Sequence, residues 1–141
     1  MKNIFFAILI CGAISTFMYV SKQPKSSSIG DKWDAKFLKD LSSDMNTKLP
    51  INIDQGTRLE KTESIGNTFI YYYTFTQDAL ADIDLTKVQN EFFPNVKNQV
   101  CTDEKSVEFL GHEVVIQFRY SDKNNEFVGE LVVKSVDCPA Q

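Results

Sequence analysis

The sequence predicts an α+β fold: two αββ units forming an antiparallel sheet with helices packed on one face, preceded by an N-terminal hydrophobic helix. Three observations predict it. Apolar residues recur at helical spacing in two separate stretches, each stretch is followed by a pair of alternating segments with turn formers between them, and a seventeen-residue uncharged run opens the chain.

Residues 4–20 (IFFAILICGAISTFMYV) are flanked by Lys2 on one side and by Lys22 and Lys25 on the other. A run of this kind is an export or membrane signal. Ala13-Ile14-Ser15 offers a cleavage site, but the apolar run continues through Phe17, Met18, Tyr19 and Val20 to the lower length limit for a bilayer span. Residues 1–20 therefore read as an uncleaved signal-anchor, with a cleaved signal peptide as the alternative. Cys11 follows Ile8, Leu9 and Ile10, not the small residue that lipidation requires. Residues 21–30 (SKQPKSSSIG) are polar and aperiodic and read as a tether. Residues 31–141 have room for one hydrophobic core and are expected to form a single extracytoplasmic domain.

Within that domain, Trp33, Phe37, Leu41 and Met45, with Leu38 beside them, mark an amphipathic helix between Asp31 and Lys48. Ser28 or Asp31 is the cap candidate, and Leu49-Pro50 stops the helix. Ile51-Asn52-Ile53 and Thr57 to Ser64 can run extended, with Gly56 between them. Gly66-Asn67 turns the chain into a strand from Thr68 to Gln77. In this last strand Phe69, Tyr71, Tyr73 and Phe75 share one face and Ile70, Tyr72, Thr74 and Thr76 the other, so both faces are bulky and the strand is expected to be central.

Asp82 or Asp84 can cap a second helix with Leu85, Val88, Phe92, Val96 and Val100 on its apolar stripe, kinked or split at Pro94. A short helical turn from Glu104 to Leu110 ends at Gly111. Glu113 to Tyr120 then alternates as a strand with Val114, Ile116, Phe118 and Tyr120 inward. The turn formers of residues 121–125 lead into a last strand from Phe127 to Val136.

Outside the leader only Cys101 and Cys138 remain, and in an exported chain an even pair favours a disulfide. A zinc site lacks ligands, since His112 is the only histidine, and a reactive thiol would need His112 as its base. From Asp31 onward 12 basic residues face 19 acidic ones, a net charge of −7, and only Arg58 and Arg119 could grip phosphate bidentately. Nucleic acid is excluded as a partner.

Asp78, Asp82 and Asp84 lack the glycine and terminal glutamate of a calcium loop, and helix capping explains them better. Glu60, Glu63, Glu113 and Glu130 fall in or beside strands and could line one acidic sheet face. Tyr71, Tyr72 and Tyr73 are consecutive on a strand, so at least one faces away from the helices, where it could anchor a partner protein. No catalytic, cofactor or metal residue is assigned, and an enzyme is not expected.

The pattern Leu49-Pro50, Asp54, Thr57-Arg58-Leu59, Tyr71 to Thr74, Cys101, Tyr120 with Asp122, and Asp137-Cys138 resembles small bacterial exported or membrane-anchored proteins of uncharacterised function. The resemblance implies export and the fold, and it carries over no catalytic residue. The function expected is a membrane-anchored periplasmic protein-binding module, of an immunity or inhibitor type, contacting another envelope or incoming protein. The alternatives are an accessory structural subunit of an envelope secretion or pilus-like complex, and a hydrolase. The expected location is the bacterial inner membrane, single-pass through residues 4–20 with the domain in the periplasm, or the secreted or periplasmic space after signal cleavage.

Overall fold

The computed structural model describes residues 33–140. The signal segment, the tether and the cap candidates Ser28 and Asp31 lie outside the described residues. Helix α1 (Ala35–Asn46) is capped by Asp34, whose carboxylate accepts the Phe37 N–H at 2.8 Å. Leu38 and Met45 on its apolar stripe are fully buried, and Trp33, Phe37 and Leu41 pack against the same core.

The strands are β1 (Ile51–Asn52), β2 (Thr57–Ile65), β3 (Thr68–Phe75), β4 (Val115–Ser121) and β5 (Phe127–Val133). They lie in that order in one five-stranded sheet, so β3 is central. Gly66 supplies the positive φ, +58°, of the β2–β3 turn. The sheet is mixed and not antiparallel throughout: β3 and β4 run parallel, in register from Thr68 opposite Val115 to Thr74 opposite Ser121. The reason is the connection between them. Parallel neighbours need a crossover of a dozen or more residues, and the helical segment after β3 carries the chain back along one face of the sheet to the end where β3 began.

That segment holds α2 and α3. Helix α2 spans 85–102, α-helical over Leu85–Lys87, widened to a π turn over Val88–Phe92 and α-helical again over Phe93–Thr102. Asp84 caps it, accepting from the Lys87 N–H at 3.2 Å. The helix runs on through Pro94 and is not split there. The proline ring cannot tolerate a carbonyl four residues back, and the preceding turn opens so that the Phe93 N–H reaches the Val88 carbonyl instead. Helix α3 (Glu104–Gly111) follows, capped by Asp103 through the Ser106 N–H at 2.9 Å.

All three helices lie on the sheet face that carries Phe69, Tyr71 and Tyr73 of β3 and Ile116, Phe118 and Tyr120 of β4. The aromatic rings stack across the parallel pair: Tyr71 on Phe118 at 5.5 Å, Tyr73 on Tyr120 at 5.3 Å and Phe75 on Tyr120 at 5.3 Å. Phe92 and Phe93 close over Tyr120 from α2, and Phe109 of α3 sits between Trp33 and Phe69. Truncating any one of these buried rings to alanine would cost roughly 3–5 kcal/mol.

Two polar groups are built into this core. Thr62 of β2 is fully buried beneath α1, where its hydroxyl lies 2.9 Å from Ser42 Oγ. The Asn46 carboxamide donates to the Thr62 carbonyl at 2.9 Å and accepts the Thr62 N–H at 2.8 Å. Asp122, in the β4–β5 turn, is equally buried and accepts from the N–H groups of Leu80, Asn124 and Glu126 at 2.7, 2.7 and 2.8 Å. Desolvation pushes its pKa up, but the hydrogen bonds from Glu126, Leu80 and Asn124 outweigh it and hold the carboxyl below its ordinary value.

Strand β5 ends at Val133 and does not continue to Val136. The Lys134 N–H turns to Asp137 Oδ2 at 2.8 Å, and a 3₁₀ turn over Ser135–Asp137 leads the chain off the sheet. Cys138 thereby meets Cys101 near the end of α2, and the two form a disulfide with Cα atoms 5.4 Å apart.

Candidate partner-binding surface

Alternation along β3 divides the tyrosine triplet. Tyr71 and Tyr73 point into the core, buried and stacked, and so are not on the surface where a partner could reach them. Tyr72 alone faces the side of the sheet away from the helices, half-buried among its neighbours. Register places it in a transverse row, with Lys61 of β2 on one side and Arg119 of β4 on the other, and Glu130 of β5 beyond.

The row is cross-linked by its own charges. The Tyr72 hydroxyl donates to Glu63 Oε2 at 2.7 Å, while Lys61 Nζ lies 2.7 Å from Glu63 Oε1 and 4.6 Å from the centre of the Tyr72 ring. Arg119 reaches Glu130 at 3.8 Å and lies 5.2 Å from the Phe127 ring centre, and Gln117 donates to Glu130 at 2.9 Å. Hydrogen bonds from Lys61 and Tyr72 hold the Glu63 carboxyl below its usual range. Burial, reinforced by the hydrogen bond to and charge of Glu63, pushes the Tyr72 phenol up to about 12, against the opposing charge of Arg119. Each exposed pair is worth about 0–1 kcal/mol, so the network orients the ring more than it holds the fold.

This face is charge-balanced, not acidic. Glu63 and Glu130 are matched by Lys61 and Arg119, Glu60 pairs with Arg58 at 2.7 Å beside the irregularity in β2, and Glu113 sits off the sheet in the turn before β4 with φ of 61°. Elsewhere, His112 stacks on Trp33 at 5.0 Å, far from serving either cysteine as a base while those sulfurs are bonded to each other. Among the described residues no group of three or more histidine, cysteine, aspartate or glutamate side chains is placed to hold a metal ion. What the surface offers chemically is recognition: the Tyr72 and Phe127 rings framed by two cations and two carboxylates.

No family model matches the sequence, and no curated protein does. Solved structures do match. A candidate secreted protein from Pseudomonas aeruginosa superposes with a TM-score of 0.66 at 14% identity, over 81% of this chain and 100% of the other. EpsS, the pilotin of the Vibrio vulnificus type 2 secretion system, superposes with a TM-score of 0.62 at 12% identity, over 76% and 93%. AspS, a type II secretion system pilotin from Vibrio cholerae, gives 0.57 at 12%, over 74% and 91%. The likeness is one of fold. It spans nearly the whole of each of those chains. Among the described residues, no helix is long and apolar enough to cross a membrane.

Proposed function

We propose that this chain is a non-catalytic accessory subunit of a bacterial envelope secretion complex, carried outside the cytoplasm by its leader, where its domain binds another protein of that complex. The observation that carries the reading is the shared fold of the sheet-and-helix domain with two secretion-system pilotins, over more than nine-tenths of each. The Cys101–Cys138 disulfide supports an oxidising compartment, and the candidate secreted protein of the same fold agrees with export. These likenesses favour the secretion subunit over an inhibitor of immunity type. The contact surface assigned to the partner is the open sheet face around Tyr72 and Arg119.

Affinity purification of the full chain, extracted in mild detergent from cells expressing the secretion complex, tests this. A subunit of the complex should copurify stoichiometrically and be lost with Arg119→Glu. Equal recovery with both forms, or no copurifying subunit, contradicts the reading.

A further inference from the structure

The two arginines of the sheet are almost equally exposed, at 42% for Arg58 and 43% for Arg119, but they are engaged differently. Arg58 Nε donates to Glu60 at 2.7 Å. Arg119 comes no closer than 3.8 Å to Glu130 and donates no hydrogen bond among the described residues. Its guanidinium lies instead 5.2 Å from the centre of the Phe127 ring. The neighbouring donors are engaged, Lys61 and Tyr72 on the two oxygens of Glu63 and Gln117 on Glu130. What this part of the face leaves open as a donor is a planar cationic fork. Strand register places an exposed apolar side chain one row to each side of it. Ser121 lies opposite Phe127, Arg119 opposite Glu130 and Gln117 opposite Val132, with Phe127 and Val132 52% and 40% exposed. Each row is a step of roughly 7 Å along the strands.

We infer that Arg119 anchors a carboxylate of the partner protein, carried on an extended segment in which an acidic residue stands between two apolar ones at alternate positions. The assignment rests on the partner-binding role proposed for this face and names the chemistry of that partner. A guanidinium fork matches a planar carboxylate through two parallel N–H···O bonds, and stacking against Phe127 keeps the fork oriented before the partner arrives. Alternate residues of an extended segment repeat at the same step as the rows of the sheet, so the two apolar side chains reach Phe127 and Val132 while the acid reaches Arg119. A phosphate fits the fork but not its setting. Glu130 lies beside Arg119 and Glu63 is within reach of its charge, and both repel a dianion about twice as strongly as a single carboxylate. Glu130, held by Gln117, competes only at long range with the incoming acid.

The test titrates the isotope-labelled full chain, in mild detergent, with acetyl-Leu-Ser-Glu-Ser-Leu-amide and with the same peptide carrying Gln in place of Glu, and reads the side-chain N–H resonance of Arg119. The Glu peptide should shift it and bind about tenfold more tightly than the Gln peptide. Arg119→Gln should abolish the difference and Arg58→Gln should leave it intact. Glu130→Gln should tighten the Glu peptide about threefold, a gain that a damaged fold cannot give. Inorganic phosphate at the same concentration should leave the resonance in place. Equal binding of the two peptides, no shift with either, a larger shift with phosphate, or no gain from Glu130→Gln overturns the proposal. Any of these leaves the secretion reading standing if a subunit still copurifies, whereas discrimination between the peptides without a copurifying subunit keeps the carboxylate site and removes the secretion reading.

Discussion

The Leu80 N–H donates to Asp122 Oδ2 at 2.7 Å, bridging the turn between β4 and β5 to the segment that leads into α2. One buried carboxylate thus fixes the start of the crossover helix relative to the hairpin it must reach. Because the folded-state pKa of Asp122 is depressed, its contribution is fully present above the ordinary value near 3.8 and is lost as pH falls through the lower folded value. Asp122→Asn should lower the melting temperature by several degrees at pH 7, and the gap from wild type should narrow in strong acid. A gap independent of pH contradicts it.

The disulfide closes a loop with a sequence separation of 37 between Cys101 and Cys138, worth about 4 kcal/mol by loop entropy. Cys138→Ser should lower the melting temperature by at least about 10 °C, and reductant should bring wild type down to the same value. Equal melting with and without reductant is the contrary result.

Asn46 mimics a strand at the edge of β2 by satisfying both backbone groups of Thr62. Asn46→Ala should cost about 1–3 kcal/mol in urea unfolding, since it strips a donor and an acceptor from the backbone of a buried residue. Lys36→Ala, which removes a fully exposed ion pair with Asp40, should cost far less than Asn46→Ala. Similar costs for the two would show that the carboxamide does not close the edge.

Burial, and after it the neighbouring Glu63 carboxylate, raises the Tyr72 phenol. With a raised folded-state pKa, the contribution of its neutral phenol is fully present below the ordinary value of 10.0 and is lost as pH rises through about 12. Ring-carbon NMR should place the Tyr72 midpoint near that upper value, and Glu63→Gln should move it back toward 10.0. Tyr72→Phe should change stability by less than about 1 kcal/mol, because the pair is partly exposed. A wild-type midpoint at the ordinary value would remove the basis for a pre-oriented ring.

Much of this fold was legible in local pattern. The spacing of Leu38, Leu41 and Met45 marks the buried stripe of α1, and the alternation of Val114, Ile116, Phe118 and Tyr120 marks the inward face of β4, because periodicity reports burial directly. What the pattern does not contain is pairing. Whether β3 meets β4 parallel or antiparallel depends on where the crossover helix returns, which no single strand encodes. The apolar alternation after Val133 reads as more strand, and only the capture of the Lys134 N–H by Asp137 ends it. The Asn46–Thr62 and Asp122–Leu80 contacts join residues 16 and 42 positions apart, so neither leaves a local signature. The candidate surface was half visible: the parity of the strand separates Tyr72 from Tyr71 and Tyr73, but the ions that frame it come from three other strands.

The most direct test of the secretion-subunit role is export itself. Deleting the gene and measuring cargo of the secretion complex in the medium should show loss of export, restored by the wild-type chain but not by an Arg119→Glu chain of unchanged melting temperature. Undiminished export from the deletion strain would contradict the role outright.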